Sequence, residues 1–311
     1  MTLLQRFEDH PDLYRGGYVS IGNFDGVHRG HQEIAQHLAA RSSRENVPAV
    51  ILTFDPHPLA LLRPNQVPPS LTTLKHKAEL LGRAGATCVI AYPTDRELLE
   101  LTPAEFVDSI IVRQLAAKGI IEGPNFCFGK DRKGDIDTLR ELCRSRNILL
   151  EVAEPVGGAR AMVSSSTIRS LIAAGKIADA VTLLGHGYRI EGEVIAGARR
   201  GGQIGFPTAN LANIDTLLPA DGVYAGVTSV DGKEFSAAVN IGPNPTFQEN
   251  ARKVEAHLLD FSGDLYGRAL AVDLFERIRE VKKFASREQL VGQIERDVAA
   301  TRTILFRRPQ T

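Results

Sequence analysis

Two different patterns of hydrophobic and polar residues divide the chain near residue 185. Before that point, apolar runs of strand length such as Ala49 to Phe54 and Ala86 to Tyr92 alternate with segments whose apolar residues recur at helical spacing. One such helix is predicted from about Gly30 to Ala40. Near-continuous apolar strands separated by helices are typical of a parallel sheet that is covered on both faces. The pattern therefore predicts an α/β domain with a parallel sheet over residues 1–184.

Residues 185–311 show a strand-rich pattern instead. Asp231-Gly232 is a strong signal for a tight hairpin. Several strands with short turns and no helices between them predict a small antiparallel barrel, followed by one C-terminal helix. The predicted strands are Tyr188 to Val194, Val223 to Thr228, Phe235 to Val239, Val254 to Leu259 and Ala269 to Phe275.

Two capping sequences predict where helices begin. Thr102-Pro103-Ala104-Glu105 offers an N-cap, a proline at the first helical position and a glutamate at the third, and predicts a helix to about Lys118. Ser286-Arg287-Glu288-Gln289 is a second capping box, which opens the C-terminal helix. We expect the apolar stripe of that helix to contain Leu290, Val291, Ile294 and Val298.

Composition and charge exclude several classes of protein. The 311 residues suffice for two domains, and 37 basic residues balance 37 acidic ones, so no net field favours a nucleic-acid partner. The first residues lack an apolar run of signal length, and no run approaches the length of a membrane span. The three cysteines show no C-x-x-C spacing, which favours reduced thiols. The sequence thus predicts a cytoplasmic protein without nucleic-acid or membrane partners.

The segment from Gly22 to His31 is the first candidate site. Its glycines let the backbone approach a ligand closely, and the helix that follows presents its N-terminal amides to an anion. His28 and His31 are three residues apart, so both can donate hydrogen bonds to phosphate oxygens in a transition state. The alternative is an ordinary turn with two surface histidines. We predict a nucleotide-phosphate site formed by Gly22, Asn23, Phe24, Asp25 and Gly26, with His28 and His31 as catalytic residues.

A second candidate site lies in the strand-rich half. Thr208 and Asn210 each offer a neutral oxygen, which suits a Mg²⁺ ion that also holds ATP phosphates. The alternative is a turn that contains a proline and an asparagine. The nearby residues predicted to bind phosphate are Gly197, Arg199, Gly205 and Pro207.

Glu255 interrupts the apolar strand from Val254 to Leu259. Alternation puts it on one face with His257 and Leu259, which we expect to point into the barrel. Burying a carboxylate there costs free energy unless the group is hydrogen-bonded, is paired with a cation or takes part in catalysis. Glu255 is therefore predicted to be a general base that takes the proton from a primary hydroxyl, the alternative being a glutamate that faces solvent.

Two motifs resemble the signatures of the nucleotidyltransferase superfamily. His28-Arg29-Gly30-His31 looks like its H-x-G-H signature, and Val163 to Arg169 looks like its second signature, in which hydroxyls and an arginine hold triphosphate oxygens. Ser166 replaces the usual threonine and keeps the hydroxyl. The resemblance implies that Ser164, Ser166 and Arg169 bind the triphosphate of ATP.

Further segments narrow this resemblance. The segment Gly22 to His28, together with Thr53 to Pro58 and Gly123 to Gly129, is similar to the prokaryotic bifunctional riboflavin kinase/FAD synthetase family. Gly205 to Leu211 resembles the G-F-P-T-A-N loop of riboflavin kinases. Gly202 stands where that family commonly has an arginine. The resemblance implies a Rossmann-like nucleotidyltransferase domain before a riboflavin-kinase barrel. It also implies that flavin is bound by Phe54, Pro56, His57, Pro58 and Asn125.

The function implied by this resemblance has two steps. The barrel would phosphorylate riboflavin with ATP to give FMN, and the first domain would adenylylate FMN to FAD with release of pyrophosphate. One alternative is an H-x-G-H transferase for another phosphorylated metabolite. A second is a flavin or nucleotide sensor that binds without turnover. The sequence gives no indication of oligomeric state.

Overall fold

The computed structural model describes residues 1–4, 10–153, 163–197, 200–244 and 249–308. The chain forms two compact units. The first comprises Met1–Pro68 and Thr72–Ser164, and the second comprises Pro69–Leu71 and Ser165–Thr311. Across the described ranges, no helix is both long and apolar enough to cross a membrane.

The first unit is built on a parallel sheet of six strands. Their order is β1-β4-β3-β2-β5-β6. After β2, the chain adds β3 and β4 on one side of that strand and then crosses to add β5 and β6 on its other side. The loops that follow β3, β2 and β5 therefore leave the same edge of the sheet side by side. The strands are β1 (Thr2–Leu4), β2 (Tyr18–Ile21), β3 (Ala49–Asp55), β4 (Cys88–Pro93), β5 (Gly119–Glu122) and β6 (Leu149–Val152).

Helices cover both faces of this sheet. Val50 and Leu52 on β3 belong to one apolar cluster, while Ala49 and Ile51 belong to the cluster on the opposite face. This arrangement explains why the strands read as continuous apolar runs, and it confirms the predicted α/β architecture. The helices of this unit are α1 (Arg29–Glu45), α2 (Leu59–Leu62), α3 (Leu74–Arg83), α4 (Arg96–Glu100), α5 (Pro103–Phe106) and α6 (Ile136–Ser145).

The capping box at Thr102 is confirmed. The Thr102 hydroxyl accepts from the Glu105 N–H at 3.3 Å, and the Glu105 carboxylate accepts from the Thr102 N–H at 2.8 Å. After Phe106 the helix widens into a π-helical segment, Val107–Gln114, and it ends before Lys118.

The second unit contains a closed antiparallel barrel with the strand order β10-β11-β8-β7-β12-β9. Val230 and Lys233 pair across Asp231-Gly232, whose φ angles of 52° and 77° confirm the tight hairpin. The strands are β7 (Tyr188–Ile195), β8 (Ala209–Ala212), β9 (Gly222–Val230), β10 (Lys233–Asn244), β11 (Glu249–Leu258) and β12 (Ala269–Arg279). The helices are α7 (Ser165–Ala173), α8 (Ile177–Leu184), α9 (Arg200–Gln203) and α10 (Arg287–Phe306).

The buried face of α10 differs from the predicted apolar stripe. Its buried residues are Gln293, Asp297, Thr301 and Leu305, whereas Leu290, Val291, Ile294 and Val298 are only half-buried. The reason is an ion pair: the Arg279 guanidinium of β12 donates to the Asp297 carboxylate at 2.8 Å, and the Gln293 amide donates to the same carboxylate at 2.8 Å. The helix therefore docks on β12 through a polar network.

Candidate functional site

The histidine loop, residues 22–28, joins β2 to α1. The Gly22 N–H donates to the Leu52 carbonyl at 3.0 Å, and the backbone then turns through positive φ angles of 46° at Phe24, 81° at Gly26 and 39° at Val27. Positive φ is costly for bulky and β-branched residues, by about 1–3 kcal/mol each. The side chains of Phe24 and Val27 are buried, which holds the loop in this strained shape.

His28 and His31 form a stacked pair at the start of α1. His28 is the N-cap, its Nδ1 accepts from the His31 N–H at 3.4 Å, and the two ring centroids are 3.6 Å apart. A Cβ at Gly30 would lie 3.3 Å from the His28 ring, so glycine leaves room for this packing. Because Nδ1 accepts, neutral His28 carries its proton on Nε2, which can donate to a ligand. Among the described residues, none forms a hydrogen bond with the buried Nδ1 of His31, which leaves a polar atom that a ligand can satisfy.

Both histidines are neutral near pH 7. Burial lowers the pKa of His28 to about 4, although the nearby Asp25 carboxylate opposes the shift. Burial also lowers the pKa of His31 well below its usual range, and His28 and Lys77 act in the same direction. Neutral imidazoles can still donate N–H hydrogen bonds to phosphate oxygens.

These shifts predict that acid weakens the first unit. The pKa of His28 is lower when folded than when unfolded, so the unfolded chain binds more protons below pH 6.5. The stability contributed by neutral His28 is complete above pH 6.5 and is lost as the pH falls towards 4, a loss of about 3 kcal/mol. Urea unfolding followed by circular dichroism at pH 7 and at pH 4 measures it. His28→Asn keeps an N-capping side chain and should reduce this loss, and an unchanged pH dependence in that variant would contradict the assignment.

Two hydrogen bonds connect α3, β3 and the histidine loop. The Lys77 ammonium donates to the Thr53 hydroxyl at 3.3 Å, and that hydroxyl donates to the Asn23 carbonyl at 3.1 Å. Burial lowers the pKa of Lys77. Sequence reasoning missed this lysine, because its only signal is a charge on the buried face of a predicted helix.

Asp25 is tied to the segment before α3. Its carboxylate accepts from both the N–H and the hydroxyl of Thr72 at 3.2 Å, and the Gly26 N–H donates to the same hydroxyl at 3.2 Å. Thr73, the neighbouring residue, is the N-cap of α3. Thr72 therefore fixes the loop.

The structure brings the histidine loop and the predicted flavin segment together. The Asn23 side-chain amide lies 3.2 Å from His57 Nε2, and His57 Nδ1 accepts from the Leu59 N–H at 3.1 Å. Phe54 is half-buried against the core, Pro56 is exposed and Pro58 is half-buried. Asn125 is exposed in the turn after β5. Since β3 and β5 flank β2, all these residues lie at or just after the carboxyl ends of neighbouring strands, at one edge of the sheet.

The residues of the second signature are divided along the chain between the two units. Ser164 is half-buried in the first unit, whereas Ser166 is exposed and Arg169 is half-buried on α7 in the second. The Arg169 guanidinium donates to the Pro69 carbonyl at 2.8 Å. Their contact with a triphosphate stays a prediction.

The prediction that Glu255 points into the barrel is wrong. Val254, Ala256 and Leu258 are the buried residues of β11, so Glu255 and His257 lie on the outer face, half-buried. The error arises because the predicted alternation of Glu255 and His257 includes Leu259, which lies beyond the strand, whereas Val254, Ala256 and Leu258 form the apolar alternation.

On this outer face, Glu255 has two amide neighbours across the sheet. It pairs in register with Asn210 of β8 on one side and with Asn240 of β10 on the other. Directly opposite side chains in antiparallel strands have Cβ atoms about 5 Å apart. The structure thus places the predicted base beside the predicted metal ligand Asn210, and it adds Asn240, which sequence reasoning did not assign to the site.

The glycine-rich segment before β8 packs closely on these residues. A Cβ at Gly197 would lie 2.2 Å from the Asn210 amide nitrogen, so only glycine allows this approach. The His257 Nδ1–H donates to the Pro207 carbonyl at 2.8 Å, and the Phe206 ring meets the His257 ring edge-on at 5.4 Å. Gly205 is exposed at a φ of 90°. Arg199 lies outside the described residues.

The oxygen donors of this surface suit a hard cation. Thr208, Asn210 and Glu255 are half-buried, which leaves their oxygens accessible to a ligand. A hydroxyl, an amide and a carboxylate are donors that Mg²⁺ accepts alongside phosphate oxygens. Gly202 is exposed, and within the part of the chain that the structure describes no atom would lie within 4 Å of a Cβ there. The missing arginine therefore leaves open space in this segment.

Comparison with known proteins finds two domains in this order. Family models for FAD synthetase and riboflavin kinase match residues 10–167 and 184–305. A bifunctional riboflavin kinase/FMN adenylyltransferase from Pseudomonas fluorescens is 38% identical, over 98% of each chain. Its counterpart from Escherichia coli K12 is 36% identical over 92% of each chain. A crystal structure described as a macrolide-efflux protein from Streptococcus pneumoniae shares the fold with a TM-score of 0.85 and 30% identity, covering 97% of this chain and 98% of that one.

Proposed function

The chain belongs to the family of bifunctional riboflavin kinases/FMN adenylyltransferases, and we propose how its residues divide the two reactions. It converts riboflavin and ATP to FMN, and FMN and ATP to FAD and pyrophosphate. In our proposal, residues 1–184 carry out adenylyl transfer and residues 185–311 carry out phosphorylation. The match of the FAD synthetase model ends at residue 167, and the match of the riboflavin kinase model begins at residue 184. Both bounds support this division.

Adenylyl transfer is assigned to the histidine loop, and the stacked, neutral pair His28/His31 carries this assignment. An oxygen of the FMN phosphate attacks the α-phosphorus of ATP, the bond from that phosphorus to the bridging oxygen breaks, and pyrophosphate leaves. His28 donates from Nε2 to an α-phosphate oxygen as negative charge builds there, and His31 lies beside it. The nucleophile is already an anion, so no general base is required.

The other residues of this site bind and position the substrates. Ser164, Ser166 and Arg169 are proposed to hold the triphosphate, and Gly22 and Asn23 to lie along it. The Asp25 side chain accepts hydrogen bonds from the N–H and the hydroxyl of Thr72, so we assign it to shaping the loop. Flavin binding is assigned to the segment after β3, which contacts the loop through His57, and to Asn125.

Phosphorylation is assigned to the outer face of the barrel. The 5′-hydroxyl oxygen of riboflavin attacks the γ-phosphorus of ATP, Glu255 takes the hydroxyl proton, and ADP leaves. Thr208 and Asn210 would hold Mg²⁺, which when bound neutralises charge on the ATP phosphates. The register that pairs Glu255 with Asn210 supports this arrangement, because it places base and metal ligand side by side.

ATP is the co-substrate of both reactions, which supports a cytoplasmic location. With 37 basic and 37 acidic residues, the chain has no net charge to attract a polyanion, so we propose small-molecule partners only: riboflavin, FMN, FAD and ATP.

Product analysis tests the proposed function. Purified protein is incubated with riboflavin, ATP and Mg²⁺, and the flavins are separated by chromatography. FMN is expected first and FAD later, and a chelator should stop both until Mg²⁺ is restored. Absence of both products would reject the proposal. Flavin binding without turnover would indicate a sensor.

Gly202→Arg is expected to improve ATP use by the kinase. The position is exposed and open, so an arginine fits and can pair with a phosphate. An exposed ion pair contributes about 1 kcal/mol, which corresponds to a KM for ATP about fivefold lower. Steady-state kinetics of FMN formation measure it. Gly202→Gln is the uncharged control, and an equal gain in that variant would show that charge is not the cause.

A further inference from the structure

A buried carboxyl group lies at the carboxyl edge of the sheet, where β5 ends. Glu122 is only 3% exposed, and its Oε1 accepts from the Ile21 N–H at 2.5 Å and from the Ser20 hydroxyl at 3.4 Å. Burial raises the pKa of Glu122 to about 8, while the hydrogen bonds from Ile21, Ser20 and the Gly123 N–H oppose that shift. The side chain is thus attached to β2, one residue before the histidine loop begins.

This contact replaces a hydrogen bond of the sheet. On β2, the N–H groups of Tyr18 and Gly22 donate towards β3, to Pro48 and Leu52, so the N–H of Ile21 points to the opposite side, towards β5. Pairing between β2 and β5 nevertheless stops at Val19 and Ile120, whereas pairing between β2 and β3 continues to Ile21. The Glu122 carboxyl takes the N–H that a β5 carbonyl would otherwise bind.

The strands part at the place where the site opens. In an open parallel sheet, ligands bind outside the carboxyl ends of the strands, at the point where the chain order reverses. In this sheet that point lies between β2 and β5. A carboxyl group that separates the two strands and holds Ile21 also sets the direction in which Gly22 and the loop leave the sheet.

We infer that Glu122 is a positioning residue for adenylyl transfer, which holds the base of the histidine loop through its hydrogen bond to Ile21. The inference rests on the proposed adenylyl transfer at His28 and His31. Glu122 acts through the length of its side chain, which places an acceptor oxygen at Ile21, rather than through charge. The reason is that every identified partner is a neutral hydrogen-bond donor. Its loss should lower kcat, since a displacement of about 1 Å at reacting groups costs about 100-fold in rate.

A pair of conservative substitutions separates the effect of side-chain length from the effect of charge. Glu122→Gln keeps the length and an acceptor oxygen and removes the ionisable group. Glu122→Asp keeps an ionisable carboxyl and withdraws it by one methylene. We expect Glu122→Gln to convert FMN to FAD within about threefold of wild type, and Glu122→Asp to lose 10- to 100-fold in kcat with KM for FMN and ATP nearly unchanged. The kinase activity of the same chain, measured as FMN formation, should be unaffected in both, which shows that the second unit is intact, while the nearly unchanged KM for FMN and ATP shows that the first unit is folded.

Glu151→Asp is the matched control. Glu151 lies on the neighbouring β6, and its carboxylate pairs with His37 and Arg41 in the middle of α1 at 2.7 and 3.0 Å, away from the loop. Shortening it should leave adenylyl transfer within twofold. Near-wild-type kcat in Glu122→Asp would overturn the inference. If Glu122→Gln were inactive at the same time, the result would indicate a role for charge. Failure of the wild type to convert FMN would reject the proposed function instead.

Discussion

Replacing His28 with alanine is expected to stop FAD formation while FMN continues to accumulate. The substitution removes the Nε2–H that we assign to the α-phosphate, and loss of one such donor typically lowers kcat by 100- to 1,000-fold. It also removes a ring that stacks on His31 at 3.6 Å. Supplying FMN and ATP and measuring pyrophosphate release gives the rate of this step alone. The kinase rate, measured with riboflavin in the same preparation, should equal that of wild type.

The N-cap function of His28 has to be separated from its chemistry. Its side chain accepts from the His31 N–H, and loss of an N-cap costs about 0.5–2 kcal/mol of stability. His28→Asn restores a capping oxygen without restoring the Nε2–H. We therefore expect the Asn variant to be more stable than the Ala variant and equally slow in adenylyl transfer. Recovery of FAD synthesis in the Asn variant would show that His28 acts only as a cap, and loss of both activities in the Ala variant would contradict the division of labour.

Replacing Glu255 with glutamine should have the opposite outcome: no FMN from riboflavin, but normal conversion of added FMN to FAD. Glutamine has the same shape and can still contact the cross-strand neighbours Asn210 and Asn240, but it cannot accept the hydroxyl proton. Loss of a general base lowers kcat by about 100- to 10,000-fold. Continuous measurement of ADP release with riboflavin and ATP gives the rate. The FMN-to-FAD rate serves as the internal reference.

Another half-buried glutamate of the barrel provides the matched control for this test. Glu191 lies on β7, opposite Ala271 of β12 and four residues before Ile195, the β7 residue that pairs with Asn210 of β8. Glu191→Gln should leave both activities within twofold of wild type. Kinase activity that survives in Glu255→Gln would remove Glu255 from the mechanism and leave Thr208 and Asn210 as the assigned residues of this surface.

Local signals in the sequence predicted most elements of both folds. The buried strand from Ala49, the capping box at Thr102 and the Asp231-Gly232 hairpin each depend on residues within a few positions of one another, and all three are confirmed. Which face of a strand or helix is buried was harder to predict. Glu255 was assigned to the wrong face of β11, because the predicted alternation included Leu259, which lies beyond the strand.

Contacts between distant parts of the chain could not be predicted. Thr72 meets Asp25 across 47 positions, and Glu122 meets Ile21 across 101. In both cases the sequence shows only a polar residue beside an element, and its partner is defined by the order of strands in the sheet. The face of α10 was missed for the same reason, since a buried Asp297 is explained only by Arg279 of β12.

The outward position of Glu255 and Asn210 separates two tasks that many enzymes combine. The interior of the barrel is filled by apolar side chains such as Val239, Ala256 and Val272, whereas the proposed chemistry uses the opposite side of the same wall. Mutations that improve the packing of the interior can therefore accumulate without altering the catalytic groups. The kinase half of this chain is for that reason a suitable starting point for engineering heat resistance, because selection for stability and selection for turnover act on different faces of each strand.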